Sequence, residues 1–196
     1  MRNDIILAGV GGQGILSIAA IIGYAAVDSG LYLKQAEVHG MSQRGGPVQS
    51  HLRIADREIF SDLIPFGQAQ LILSVEPMES LRYLPYLSQK GWLVTNTKPF
   101  VNIPNYPDLG KVTDAIRALP RKIIIDADEL AKEAGSPKAM NMVMLGAASP
   151  FLDVDYEKLQ AGIQFIFGRK GEKIVTLNLK ALEAGRAFAQ DHSTSR

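Results

Sequence analysis

Ile5-Ile6-Leu7-Ala8-Gly9-Val10-Gly11-Gly12-Gln13-Gly14-Ile15-Leu16 decides the fold. A short apolar run enters a cluster of glycines, and apolar residues then recur at helical spacing from Ile15 to Val27 until Gly30, which suits the C′ position. The pattern predicts strand, tight turn and helix. Ile5 to Val27 carries no charge and is long enough to suggest a membrane span, but Gly9, Gly11, Gly12, Gln13 and Gly14 break it near its start. A buried strand followed by a buried helix fits better. Met1-Arg2-Asn3-Asp4 does not read as a secretory signal, so the expected compartment is the cytoplasm.

Leu31 to Val38 reads as a second strand, which makes the first 38 residues a βαβ unit with a right-handed crossover. Val48 to Ala55 alternates, and Ile59-Phe60 follows Asp56-Arg57-Glu58, so a hairpin is expected there. Leu71 to Val75 is a buried strand. Pro77 suits the first turn of a helix running towards Gly91, with a break at Pro85. Trp92 to Asn96 and Lys122 to Asp126 complete the strands, and Asn102 to Gly110 reads as irregular. Helices are expected over Asp128 to Glu133, Pro137 to Ala148, Tyr156 to Phe167 and Leu177 to Ala189. The sum is a single α/β domain over residues 1–190, a three-layer α/β/α Rossmann-like arrangement with a mixed, mostly parallel sheet, and a flexible tail at 191–196.

Composition narrows the chemistry. Hydrophobic residues are 46% and charged residues 21%, a globular balance. Lys plus Arg total 21 against 20 Asp plus Glu, so no charge bias draws the chain to nucleic acid or to an anionic membrane. The absence of cysteine removes disulfides, thiolate catalysis and a Cys-ligated iron–sulfur cluster. His39 and His51 match no metal-ligand spacing, and no metal is expected.

Gly9-Val10-Gly11-Gly12-Gln13-Gly14 satisfies G-x-G-x-x-G after a strand and before a helix. Such a turn lets a ligand approach main-chain N–H groups at a helix start carrying about half a positive charge. It equally serves strand-to-helix packing with no ligand at all. A Walker A loop is excluded, because Ile15-Leu16 stand where Lys and Ser or Thr are needed. Glu37 falls where a ribose-binding carboxylate of a nicotinamide enzyme is expected.

Glu37-Val38-His39-Gly40-Met41-Ser42-Gln43-Arg44-Gly45-Gly46-Pro47 is dense in polar groups at a strand end. Arg44 suits a carboxylate or phosphate, Ser42 and Gln43 supply hydrogen bonds, and Gly45-Gly46 permit positive φ. The bland alternative is a surface turn with a solvated arginine.

Together these two segments resemble the gamma-type subunit or domain of the 2-oxoacid:ferredoxin oxidoreductases, in particular the small subunits of the indolepyruvate type. Ser61-Asp62-Leu63-Ile64-Pro65, Leu73-Ser74-Val75-Glu76-Pro77 and Asn141-Met142-Val143-Met144-Leu145-Gly146 extend the resemblance over most of residues 4–190. It implies a division of labour. A large partner subunit carries thiamine diphosphate and iron–sulfur clusters, decarboxylates an aryl pyruvate such as indolepyruvate, forms an acyl-coenzyme A and reduces ferredoxin through the complex. This chain completes the assembly, is inactive alone and is able to self-associate when isolated. The resemblance further implies coenzyme A at Gly9, Gly11, Gly12, Gln13 and Gly14, with His39 to Gly46, including Ser42, Gln43, Arg44, Gly45 and Gly46, closing over the acyl-transfer region. Two other readings stay open: a stand-alone NAD(P)-dependent oxidoreductase using Glu37, and a non-catalytic assembly scaffold.

Remaining polar residues have plainer readings. His51 suits a satisfied or solvated sheet position, whereas His39 is the better catalytic candidate but has no identifiable acid partner. Asp126, Asp128 and Glu129 suit helix capping better than a carboxylate site. Met140, Met142 and Met144 suit a core or a subunit contact.

Overall fold

Apolar side chains on both faces of β1 (Arg2–Val10) require a sheet covered on two sides, and the strand is buried from Asn3 to Val10. The computed structural model describes residues 1–40, 45–101 and 103–193, with His39 described by its backbone alone. After β1 come α1 (Ile15–Asp28), β2 (Tyr32–His39), β3 (Pro47–Ala55), β4 (Ala69–Ser74), α2 (Pro77–Arg82) and β5 (Leu87–Asn96). Then follow α3 (Leu109–Arg117), β6 (Lys122–Ile125), α4 (Ala127–Glu133), α5 (Met140–Ala148), α6 (Tyr156–Phe167) and α7 (Glu172–Ser193). The larger core packs α1, α4, α5, α6 and α7 against Ile5, Leu7, Leu52 and Ile54. The smaller one packs α3 and Ile64 against Ile6, Ala8 and Ile72. This is the expected three-layer α/β/α arrangement.

The sheet order is β2-β3-β1-β4-β5-β6. β3 runs antiparallel to both β1 and β2, while β1, β4, β5 and β6 pair in parallel. The sheet is therefore mixed and mostly parallel, and β1 and β2 run in the same direction, as a βαβ unit requires, with β3 lying between them. The short connection after β2 turns the chain straight back, since a tight link joins only antiparallel strands, and β3 docks between the two. The expected hairpin of Val48–Ala55 with Ile59-Phe60 is corrected. The partner is β2, in register from Tyr32↔Ala55 to His39↔Val48. Both sides of β3 are thus filled, and Arg53 instead binds the carbonyls of Ser61 and Leu63 as the chain returns. Phe60 is left 87% exposed.

Helix boundaries follow local chemistry. α2 starts on a Glu76 cap with Pro77 in its first turn and stops at Arg82. The expected continuation to Gly91 gives way to a 3₁₀ turn, Leu84–Tyr86, and then to β5, which contains Gly91. α3 lies where no helix was expected. Asp108 caps it by accepting from the Lys111 N–H at 3.0 Å, and only Val112 and Ile116 are buried, too few apolar positions to signal from sequence. α7 begins before Leu177 and continues to Ser193, so the first residues of the expected tail are helical; 194–196 lie outside the described residues. Met142 and Met144 are core residues, while Met140 packs partly buried against that core. Among the described residues no helix is long and apolar enough to cross a membrane.

Asp126 caps α4 by accepting from the Glu129 N–H at 3.0 Å, and it pairs with Lys98 at 3.2 Å. Burial works to raise its pKa, but the Glu129 N–H and Lys98 outweigh that and hold it below the usual carboxylate value. A depressed pKa means that the contribution is complete above the unfolded value of 3.8 and is lost as pH falls through the folded one. Asp126→Ala is expected to cost about 1 kcal/mol at pH 7. In urea titrations the gap from wild type should close progressively below pH 3.8.

Candidate functional site

The glycine turn sits at the carboxyl end of β1, where open α/β sheets present ligand sites. Gly14 has φ +82 and immediately precedes α1 without supplying a side-chain cap. Any Cβ there would run into the side chain of Asn141, whose Nδ2 donates to the Gly14 carbonyl at 3.2 Å. The third glycine of the motif therefore allows α1 and α5 to start side by side. Gly12, with φ +102, faces open space.

Gln13 turns inward. Its Oε1 accepts from the Val10 N–H at 2.8 Å and its Nε2 donates to the Val75 carbonyl at 3.4 Å. The side chain thereby closes the crevice between the ends of β1 and β4. Gln13→Leu strands the buried Val10 N–H and is expected to cost about 1 to 3 kcal/mol. Gln13→Glu keeps the acceptor for Val10 but turns a carboxylate oxygen towards the Val75 carbonyl, so thermal unfolding at pH 7 should place it below wild type.

The second segment meets the first through the backbone. The Gly11 N–H donates to the Gly46 carbonyl at 2.8 Å, and the Gly45 N–H donates to the Gly11 carbonyl at 3.3 Å. Gly45, with φ +78, uses the positive φ expected of it. Met41, Ser42, Gln43 and Arg44 lie outside the described residues, as does the side chain of His39. A cleft of about 260 Å³ opens over the turn, lined by Val10, Gly11, Gly12, Gly14, Glu37 and Val48 among others. Glu37 reaches this cleft from the edge strand, where its carboxylate accepts from Gln35 Nε2 at 3.2 Å. With β3 in the place beside β1, Glu37 lacks the strand position that a ribose-binding carboxylate takes in the dinucleotide fingerprint.

His51 is a satisfied sheet residue. Its Nδ1 accepts from the Ile64 N–H at 3.0 Å and its ring meets Tyr86 edge-on at 5.1 Å. Burial, helped by Arg53, lowers its pKa and keeps it neutral. The sequence reading missed two organising residues. Asn141 is the first; it lay within a recognised segment but carried no local signal. Glu76 is the second, a fully buried carboxylate at the end of β4. Its Oε2 accepts from the Glu79 N–H at 2.8 Å, and its Oε1 accepts from the Phe100 N–H at 3.2 Å and from the Tyr106 hydroxyl. Burial and this bond raise the Tyr106 pKa, so the phenol stays protonated. The Glu-Pro pair at 76 and 77, an N-cap followed by N1, was the available signal.

A family model described as pyruvate ferredoxin/flavodoxin oxidoreductase matches residues 4–188. The indolepyruvate oxidoreductase subunit IorB of Archaeoglobus fulgidus is 38% identical, matched over 94% of this chain and 94% of its own. Its namesake from Pyrococcus horikoshii is 34% identical over 96% of both. In fold, the gamma subunit of a keto/oxoacid ferredoxin oxidoreductase from Geobacter sulfurreducens superimposes with a TM-score of 0.69 at 24% identity, covering 96% of this chain and 99% of that one. A 2-oxoglutarate:ferredoxin oxidoreductase from Magnetococcus marinus, solved with 2-oxoglutarate, coenzyme A and succinyl-CoA bound, gives 0.77 at 22% identity. That match covers 97% of this chain but 31% of the larger one.

Proposed function

The chain belongs to the pyruvate ferredoxin/flavodoxin oxidoreductase family, and we propose on that premise that it is the small subunit of an indolepyruvate-type 2-oxoacid:ferredoxin oxidoreductase. The observation that carries this reading is the near-complete match to relatives named indolepyruvate oxidoreductase subunit IorB. The composition supports it: with no cysteine, the chain offers no thiolate to an iron–sulfur cluster. On this reading thiamine diphosphate and the clusters are carried by a large partner subunit, which supplies the decarboxylation and electron transfer to ferredoxin. The cytoplasm is the compartment that suits this chemistry.

On this reading the chain's own residues bind and orient coenzyme A. The outward face of Gly12 and the uncapped start of α1 present backbone amides, whereas the Gly11 N–H and the Gln13 amide are committed to holding the turn. Gly9 and Gly14 shape that turn, Gly45 and Gly46 tether the second segment to it, and Ser42, Gln43 and Arg44 supply polar contacts to the ligand. Arg44→Ala is expected to raise the KM for coenzyme A about tenfold, the loss of one charge-assisted contact. Unchanged steady-state kinetics in that variant would remove Arg44 from the site. The isolated chain is expected to self-associate through the surface its partner subunit would cover, which light scattering tests directly.

The experiment for the subunit role is oxoacid-dependent reduction of a viologen dye by the large subunit with coenzyme A, with and without this chain. Activity that requires both chains and is greatest with indolepyruvate is the expected result. An intact large subunit that gains nothing from this chain would overturn the reading.

A further inference from the structure

We propose that a cleft beside the glycine turn, lined by Lys138 and Lys170, is a phosphate-binding site. It has a volume of about 310 Å³, and its lining includes Ser17, Ser136, Asn141 and Asn178 besides the two lysines, with no acidic residue among them. Among the described residues neither lysine makes an ion pair; the Lys170 ammonium lies 5.2 Å from the centre of the Phe167 ring. Two ammonium groups without a counterion match the double charge of a phosphate, where a lone carboxylate would need only one. Donors surround them. Ser136 occupies an N-cap position, before the 3₁₀ turn Pro137–Ala139, yet its hydroxyl makes no cap hydrogen bond and remains available. Asn178, 9% exposed, is fixed by donation from Nδ2 to the Ile174 carbonyl at 2.8 Å.

Electrostatics separates this cleft from the glycine cleft next to it. Among the described residues the glycine cleft is lined by backbone, by apolar side chains and by Glu37, with no basic side chain. The lysine cleft has the opposite sign, and the starts of α1 and α5, neither capped by a side chain, add positive potential. Asn141 joins the two, bonding the Gly14 carbonyl while lining the lysine cleft. A phosphate seated here is either the end of a longer ligand whose body crosses the glycine turn or a separate phosphorylated small molecule. The proposal rests on this geometry and not on the subunit reading.

The full chain is titrated with inorganic phosphate at low ionic strength, with matched chloride as the control for screening. Saturable binding is expected, weakened about tenfold or more in K138Q/K170Q and retained in K138R/K170R. Absence of saturable binding, or equal binding in the glutamine variant, overturns the proposal. The source of the phosphate is then read in the assembled enzyme by comparing coenzyme A with dephospho-coenzyme A, which lacks the 3′-phosphate. A KM in K138Q/K170Q that rises for coenzyme A alone assigns the site to that phosphate. Equal KM values for both substrates in variant and wild type, with phosphate binding lost, assign it to a separate phosphorylated ligand.

Discussion

Gly146→Ala and Gly185→Ala are each expected to destabilise the protein by about 3 kcal/mol and to lower its Tm by about 10 °C. α5 and α7 cross with their backbones in contact at these two positions. A Cβ on Gly146 would overlap the Leu182 carbonyl, and one on Gly185 would overlap the Val143 carbonyl. Neither obstacle is a side chain that can change rotamer, so relief requires the helices to part. They cannot part cheaply, because Met142, Val143, Leu145, Ala181 and Leu182 are fully buried around the crossing. Alanine returns about 1 kcal/mol of helix propensity over glycine, which the overlap outweighs. Gly168→Ala is the control: it lies at φ −54 with open space around it, and should be neutral or stabilising by about 0.5 kcal/mol. Thermal and urea denaturation of the three variants decide the matter. The paired variant Gly146→Ala/Gly185→Ala should cost less than the sum, since one separation of the helices accommodates both methyl groups.

What could be read from sequence follows the physical range of each signal. The strand, turn and helix around Gly9 to Gly14 were legible because periodicity and glycine punctuation are local. The Pro77 helix start and the Asp126 cap were legible for the same reason. The placement of β3 was not, because the residues that draw it between β1 and β2 act on both faces at long range: Leu52 and Ile54 enter one core while His51 and Arg53 bond the opposite side. α3 was missed because Val112 and Ile116 alone carry its buried face. At the site, the motifs marked the two segments that meet, but the Gly11–Gly46 bonds are backbone contacts that leave no trace in residue identity. Gln13 reads as a ligand group in the sequence, while its side chain bonds Val10 and Val75, since an amide serves either use. The Lys138–Lys170 cleft draws on elements far apart in sequence, so no motif could announce it.

Arg53→Met is expected to cost about 3 kcal/mol, because the buried Asp4 keeps only the part-exposed Arg2 as its charge partner and the Ser61 and Leu63 carbonyls lose their donor. Asp4 is fully buried, with its carboxylate accepting from Arg53 Nε at 2.9 Å, from Arg53 Nη2 at 3.3 Å and from Arg2 Nε at 2.7 Å. Arg53 uses its remaining nitrogen to hold the carbonyls of Ser61 and Leu63 at 2.8 and 2.9 Å. One guanidinium therefore neutralises β1 and pins the chain that returns from β3. Methionine fills the volume and supplies none of these donors, so the 56–66 segment should become sensitive to limited proteolysis before global unfolding. Asp4→Asn should cost less, because the guanidinium keeps its carbonyl partners. The decisive comparison is the paired variant Asp4→Leu/Arg53→Met, which removes both charges. If it recovers much of the stability lost in Arg53→Met while 56–66 stays susceptible to protease, the pair costs little to replace and the carbonyl clamp is what Arg53 contributes. If the paired variant is no more stable than Arg53→Met, a buried Asp4 deprived of Arg53 is not the source of the loss, and the ion-pair account fails.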